Sequence, residues 1–436
     1  MPLPLFLPCA AGVEALLATE VRALLPNAEV ASSRGGVALS GDPLEVMTLN
    51  LESRLAQRVL VEVGSCRYRA EQELYDLART IDWTEWVTPR HTLRVDTTVQ
   101  RSPLRSVNFA ALRVKDAVCD MLRDATGQRP SVDTHHPDLQ LVLHLGAERA
   151  VLYIDTSGES LFKRGWRTDK GDAPLKETLA AAMLAAAEWR GSPESGGALH
   201  DPCCGSGTIA IEAAQIACGI APGLKRRFAF ERLLPFATPA MRAEWQRLKS
   251  HAQARIHVAR VPVFGSDVSF RMIDFARRNA ERAGVAHVVT FNGGDALERP
   301  APSIAAELPG TLMLNPPYGE RIDPKGSRGN PSDDREVEGD PDEAPVRRLD
   351  DADERANRNL PTDFYARLAS HWKRAYTSHP AGWTAFVLSP DRKLPSAMRL
   401  KESRRIPMWN GPIECRLFRF NLVAGSARPA SDAEPA

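Results

Sequence analysis

Apolar residues recur along this chain with two periods, about two and about 3.6 residues, and the switches between them divide it into three stretches. In residues 5–66 a short strand leads into an apolar-periodic helix over 12–25. Small strands flank the Gly35-Gly36 turn, a second helix covers 43–55, and a strand over 58–63 completes a compact α+β unit. Residues 67–165 predict a second α+β unit: a helix over 71–80, a strand over 92–99, and a long helix over 106–124. Strands over 139–145 and 151–155 then form a hairpin around Gly146-Ala147-Glu148-Arg149.

The third stretch opens with an alanine-rich helix from Pro174 to Arg190 and a Gly/Ser/Pro/Glu linker that starts at Gly191. Strands over 198–200, 261–267, 287–291 and 312–314 then alternate with helices over 209–218, 241–254, 270–283 and 362–376. This is the pattern of an open α/β sheet. A buried strand over 384–388 follows, and segments 404–409 and 413–421 are joined by Asn410-Gly411, so the sheet should finish with an antiparallel strand. Residues 323–359 are dense in Asp, Glu, Arg, Gly and Pro, which predicts a disordered insertion. The small polar tail over 425–436 is expected to be disordered as well.

Composition narrows the class. At 436 residues the chain exceeds what one core serves, so two or three domains are expected. Hydrophobic residues at 43% and charged residues at 25% exclude a fibre or a disordered chain. The net charge is only +1, so a nucleic-acid partner must be held by a local basic patch. The seven cysteines are odd in number and include no Cys-x-x-Cys pair, so they read as buried small hydrophobes; no metal is expected. The first residues lack a basic n-region and are broken by three prolines, and no apolar run approaches a membrane span. A cytoplasmic, soluble protein that touches no membrane is expected.

Chemistry concentrates at the strand ends of the third stretch. The apolar run Leu312-Met313-Leu314 drives into Asn315-Pro316-Pro317-Tyr318, where the prolines must stop the sheet. The Asn315 side-chain oxygen and the Pro316 carbonyl can accept both hydrogens of an exocyclic amine, and Tyr318 can stack on the ring that carries it. Alone, the tetrapeptide suits a proline-stiffened strand exit equally well. Upstream, Asp201-Pro202-Cys203-Cys204-Gly205-Ser206-Gly207-Thr208 forms a glycine turn between strand and helix, open to close approach by a ligand. A dinucleotide site would place an acidic residue about 20 residues on. Here the insertion 220–259, with its basic Lys225-Arg226-Arg227, displaces it to Asp267, and Asp295 closes the next strand. Each aspartate singly suits a helix cap; their joint placement favours binding to ribose and to an adenine amine. His200 abuts the turn and reads as structural. Arg101, Arg105, Arg113 and Lys115 lie on and before the long helix of the second unit, and Lys163, Arg164 and Arg167 lie near its exit. They suit phosphate contact with a folded RNA, or a solvated face.

The segments 112–117, 174–181, 201–214 and 315–322 together resemble the THUMP-containing class I methyltransferases. Among these they are most similar to the enzymes that methylate guanine N2 in bacterial 23S ribosomal RNA. The resemblance covers residues 5–422. It implies a ferredoxin-like domain (1–66), a THUMP RNA-binding domain (67–165) and a Rossmann-like methyltransferase domain (166–424) with a seven-stranded sheet in order 3-2-1-4-5-7-6. S-adenosylmethionine is the implied donor, with Asp201, Gly205 and Gly207 around its methionine part and Cys203 in the same cofactor-binding turn. Asp267 would hold the ribose, Asp295 the adenine, and Asn315, Pro316, Pro317 and Tyr318 the target base. The implied substrate is 23S rRNA or an assembly intermediate of it, acted on by a monomer. Many members carry a second methyltransferase domain for guanine N7, which this chain is not expected to contain, and the insertion 323–359 is longer than the family leads one to expect. Adenine-N6 methylation of DNA or RNA and a non-catalytic RNA-binding assembly factor are the alternatives. A nicotinamide oxidoreductase is disfavoured by the Asn-Pro-Pro-Tyr and the displaced Asp267.

Overall fold

The computed structural model describes residues 2–171, 174–316 and 363–423. In its first part, β1 (Leu3–Pro8), α1 (Glu14–Leu24), β2 (Val30–Ser33), β3 (Gly36–Gly41), α2 (Pro43–Glu52) and β4 (Leu60–Arg67) follow in turn. Local chemistry sets the starts: Asp42 and Glu45 exchange side-chain bonds with each other's backbone N–H in a capping box, and Pro43 supplies the first helical residue of α2. The second part adds α3 (Glu71–Arg79), β5 (Thr92–Val99), α4 (Val107–Thr126), β6 (Ser131–Val132), β7 (Leu139–Leu145) and β8 (Arg149–Asp155). Ser106 accepts the Phe109 N–H to start α4, and Gly127, at φ 74°, ends it.

These two parts are not separate sheets. All eight strands form one sheet in the order β2-β3-β1-β4-β8-β7-β5-β6. Strand β4 joins the halves: it meets β1 only at Leu5↔Val61 and Phe6↔Leu60, but pairs with β8 from Leu60 to Arg67 around an irregularity at Glu62/Gly64. The strand expected over 58–63 therefore continues to Arg67. Its tail, Gly64-Ser65-Cys66-Arg67, lacks the apolar alternation that marks a strand. It is held by backbone pairing, with Leu77 filling the space left by Gly64.

The third part contains α5 (Glu177–Ala186), β9 (Ala198–Asp201), α6 (Thr208–Ala217), α7 (Pro239–Ala254), β10 (Val263–Asp267), α8 (Phe270–Ala283), β11 (Val289–Gly293) and β12 (Gly310–Leu314). After these come α9 (Phe364–Ala375), β13 (Trp383–Ser389), α10 (Leu394–Met398), β14 (Arg404–Asn410) and β15 (Ile413–Leu422). The sheet runs β11-β10-β9-β12-β13-β15-β14, which is 3-2-1-4-5-7-6 in the order of its own strands, as the family resemblance implies. Strands β9 to β13 are parallel, and β15 is antiparallel to both β13 and β14.

The insertion 220–259 joins the parts. Phe228, Phe230, Phe236 and Trp245 form a buried aromatic cluster with Phe230 at its centre, its ring 5.5, 5.3 and 5.1 Å from the other three. From it, the Gly223 and Leu234 N–H groups donate to the carbonyls of Leu51 and Trp86 in the first two parts. A buried ion cluster belongs to the same junction, where Arg54 also donates to the Ile220 carbonyl of the insertion. Glu212 on α6 accepts from Arg54 at 3.2 Å and from Arg164 at 3.1 Å, while Arg167 pairs with Glu177 at 2.7 Å. Charge pairing thus crosses from the first part of the chain to a helix of the third.

Candidate active site

Strand order reverses between β9 and β12, and an open α/β sheet forms its ligand crevice at the carboxyl ends beside such a reversal. The glycine turn lies there. Cys203 N–H donates to Asp201 Oδ1 at 3.1 Å, Cys204 N–H to the Ser266 carbonyl at 2.9 Å, and Gly205 N–H to Asp267 Oδ2 at 2.9 Å. The turn is thereby stitched to the end of β10. Gly205 and Gly207 have φ of 51° and 89°, but for different reasons. A Cβ on Gly207 would press on Ala276 and Phe291 at 3.0 Å, so that glycine permits close helix–sheet packing. A Cβ on Gly205 would meet nothing within 4 Å, so that glycine faces open space.

Three carboxylates stand at successive strand ends. Asp201 is buried, and burial pushes its carboxyl well above the ordinary range against the opposing Cys203 N–H, with the charge of Asp267 adding to the rise. Asp267 is half-buried; it accepts from Gly205 and, through Oδ1, from Ser269 N–H at 2.9 Å, and burial raises its carboxyl too. Asp295 accepts Leu297 N–H at 2.9 Å, and the neighbouring Gly294 N–H donates to the Asp267 carbonyl at 3.0 Å. The partly exposed oxygens of Asp267 and Asp295 retain lone pairs that can accept from hydroxyls or an amine.

Across the reversal, β12 ends at Leu314, paired with Val387 of β13. Asn315 follows, half-buried, and Pro316 is buried. The Asn315 Oδ1 atom is buried and accepts no hydrogen bond among the described residues. An acceptor left so costs about 1–3 kcal/mol. Pro317, Tyr318 and the insertion 323–359 lie outside the described residues, as does the tail beyond Val423. His200 sits behind the turn, 3.0 Å from the Tyr376 hydroxyl and 3.2 Å from the Ser266 hydroxyl, and burial lowers its pKa to about 3. It is a neutral internal tie.

Asn279 was missed by the sequence reading. Fully buried on α8, it donates to the Ser206 carbonyl at 3.0 Å and to the Asp169 carbonyl at 2.8 Å, bracing the glycine turn. Its signal was an asparagine beside Ile273, Ala276 and Ala280 on the apolar face of the helix.

The basic residues divide. Arg101, at φ 62°, and Arg105 are exposed ahead of α4. Arg113 instead lies over the Tyr75 ring at 4.5 Å and donates to Gln72 at 2.8 Å. Lys115 pairs with Asp116 at 2.9 Å, and exposed Lys163 pairs with Glu159 at 3.3 Å. Arg164 is 2% exposed; besides Glu212 it holds the carbonyls of Leu161 and Arg54 at 2.8 and 2.7 Å. A guanidinium so enclosed does not face a phosphate in solution, and Arg164 leaves the RNA-facing set. Among the described residues no group of three or more His, Cys, Asp and Glu could hold a metal, and no helix is long and apolar enough to cross a membrane.

Comparison with known proteins matches residues 4–60 to the RlmL ferredoxin-like domain, 68–155 to the THUMP domain and 164–330 to the RMKL-like methyltransferase domain. The ribosomal RNA large subunit methyltransferase K/L of Syntrophotalea carbinolica is 36% identical over 427 residues, 97% of this chain and 54% of that protein. The protein of the same name from Pseudomonas entomophila is 36% identical over 438 residues, 98% of this chain and 54% of its own. The chain spans about half the length of these relatives. Among solved structures, SMU.472, described as a putative methyltransferase complexed with SAH, superposes with a TM-score of 0.77 at 26% identity, covering 98% of this chain and 99% of that one. A protein from Listeria monocytogenes described as a predicted N6-adenine-specific DNA methylase gives 0.76 at 25% identity, over 96% of each chain. By domain order, sequence and fold, the chain belongs to the THUMP-containing methyltransferases.

Proposed function

We propose that this chain transfers a methyl group from S-adenosylmethionine to the exocyclic N2 of a guanine in 23S rRNA or an assembly intermediate, acting as a monomer in the cytoplasm. The observation that carries the reading is the buried, unpartnered Asn315 Oδ1 at the end of β12, across the strand reversal from three carboxylates. The relatives named as rRNA large subunit methyltransferases supply the substrate class, and the SAH-bound SMU.472 supports the donor. The domain limits we propose are 1–66, 67–165 and 166–424, with β4 shared across the first boundary.

The residues present fit the donor. Gly205 leaves open space at the turn, Asp201, Cys203 and Gly207 border it, and Asp267 and Asp295 offer acceptors for ribose hydroxyls and an adenine amine. When bound, S-adenosylmethionine supplies an electrophilic methyl group. The chain's task is then positioning. The guanine must leave its stack, at a cost of a few kcal/mol, to expose N2. Asn315 Oδ1 and the Pro316 carbonyl accept the two amine hydrogens, Pro317 stiffens the exit, and Tyr318 stacks on the base. No strong base is needed, because the nitrogen becomes acidic only as it is alkylated. His200, sealed behind the turn with a pKa of about 3, is unsuited to that role.

The same grip would serve adenine N6, and the description of the Listeria neighbour favours that as the second reading. Mass spectrometry of the methylated nucleoside separates the two. The donor site is tested by calorimetry: Asp267→Ala should weaken S-adenosylmethionine binding by roughly 1.5–3 kcal/mol, the scale of hydrogen bonds to a charged group. Unchanged affinity would remove Asp267 from the ribose role.

For the RNA platform, exposure selects Arg101 and Arg105. Their joint reversal to Glu should weaken RNA binding and lower the salt slope by about 0.7–0.9 per lost phosphate contact, with donor binding untouched. Wild-type affinity and slope in that variant would move the RNA surface elsewhere.

A further inference from the structure

A second concavity lies on one face of the catalytic sheet, away from the strand ends that carry Asp201, Asp267 and Asn315. Its volume is about 360 Å³. Arg190 and Arg419, the hydroxyl residues Ser195, Thr311 and Thr384, and the ring of Phe386 line it. Thr311 pairs with Thr384 across β12 and β13, and Phe386 pairs with Arg419 across β13 and β15, so their side chains share a face. Four residues of extended chain, roughly 13 Å, separate Thr311 from Asn315.

The facing wall is the loop 187–197, and it is rigidly built. Trp189 is 2% exposed and donates from Nε1 to the Gly197 carbonyl at 3.0 Å, while Thr311 Oγ1 donates to the Gly196 carbonyl at 2.8 Å. Gly196 and Gly197 have φ of 89° and 63°; a Cβ on the first would meet Trp189 at 2.5 Å, and on the second the Pro309 carbonyl oxygen at 1.9 Å. The loop that carries Arg190 and Ser195 is therefore fixed in one conformation.

The two glutamates and the two arginines of the lining differ in their pairing. Glu188 and Glu194 also line it, but Glu188 pairs with Arg404 at 3.6 Å and Glu194 with Arg260 at 3.0 Å. Arg190 and Arg419 make no ion pair among the described residues. The Arg419 guanidinium lies 5.9 Å from the centre of the Phe386 ring, and its Nε is buried with no acceptor among the described residues. A buried guanidinium N–H without an acceptor is costly, and the planar guanidinium fork of an arginine matches the oxygens of a phosphoryl group.

We infer that this cavity binds a phosphoryl group, carried by an RNA backbone or by a small free phosphate compound, at a site separate from methyl transfer. The probe is inorganic phosphate, titrated against the full chain with sodium chloride at matched ionic strength as the reference; a target rRNA fragment is titrated in parallel. Phosphate should raise Tm beyond chloride, because it binds the folded state. Arg190→Gln, at an exposed position, should keep the fold and donor binding while weakening phosphate binding roughly tenfold, the scale of a lost charge-assisted hydrogen bond. Arg419→Lys keeps the charge but removes the buried Nε and should weaken it as well. Loss confined to inorganic phosphate identifies a free compound as the ligand. Loss of RNA affinity with a shallower salt slope identifies the RNA backbone. If both variants match wild type in both titrations, the inference is overturned.

Discussion

Asn315→Ala is expected to lower kcat for methylation by at least ~10²-fold while leaving S-adenosylmethionine affinity close to wild type. The expectation follows from where the Oδ1 atom sits. It is buried at the carboxyl end of a central strand and has no donor among the described residues, so it is held ready for a donor that arrives with the substrate. Loss of one preorganised polar contact at a reacting group commonly costs this much, and a contact that tightens during transfer appears in kcat rather than in binding. Tyr318→Ala should instead raise KM for RNA as well, since stacking is worth roughly 1–3 kcal/mol once the base has flipped. Single-turnover methylation of unmodified rRNA, with donor binding measured on each folded variant, separates the two. Near-normal turnover in Asn315→Ala would reduce the stretch to a strand exit stiffened by proline and would place the grip on the target amine elsewhere in the catalytic domain.

The second large effect is on stability. Glu212→Gln should destabilise the protein by about 3–5 kcal/mol, because it strips the shared carboxylate from a buried ion cluster. Glu212 is wholly buried, and its two partners expose only 16% (Arg54) and 1% (Arg164) of their side chains. Burial lowers the pKa of Arg54, and the charge of Glu212 is the largest influence restoring it. Without that charge, two guanidiniums face each other in a poorly solvated space. Urea denaturation should show a lower midpoint. Combining Glu212→Gln with Arg164→Ala should cost less than the sum of the single changes, since the second removes a cation the first left unpaired. A loss below about 1 kcal/mol, with additive single effects, would mean the cluster is solvated and does not tie the parts together.

Where the sequence was legible, a side-chain pattern and a chemical boundary agreed. Helix α8 is read residue for residue because Ser269 caps its start and Gly284, at φ 79°, ends it. The seven-stranded sheet is legible because alternating strands and helices admit few topologies. The tail of β4 was illegible because backbone pairing to β8, rather than apolar alternation, holds it in the sheet. Arg164 was misassigned for a related reason: an arginine near a domain exit carries no mark of its partner, and Glu212 lies 48 residues away in sequence. Asn279 braces the glycine turn through two carbonyls, and carbonyls look alike in any sequence. The strand-end carboxylates were easier, because glycine turns and terminal aspartates are local features that topology brings to one edge.

The most direct measurement is mass spectrometry of nucleosides from 23S rRNA lacking the modification, after incubation of the purified chain with S-adenosylmethionine. The account predicts one new N2-methylguanosine, formed at least ~10²-fold more slowly when Asn315→Ala replaces the wild type. N6-methyladenosine in its place, or no methylated nucleoside from a chain that binds both donor and RNA, would contradict it.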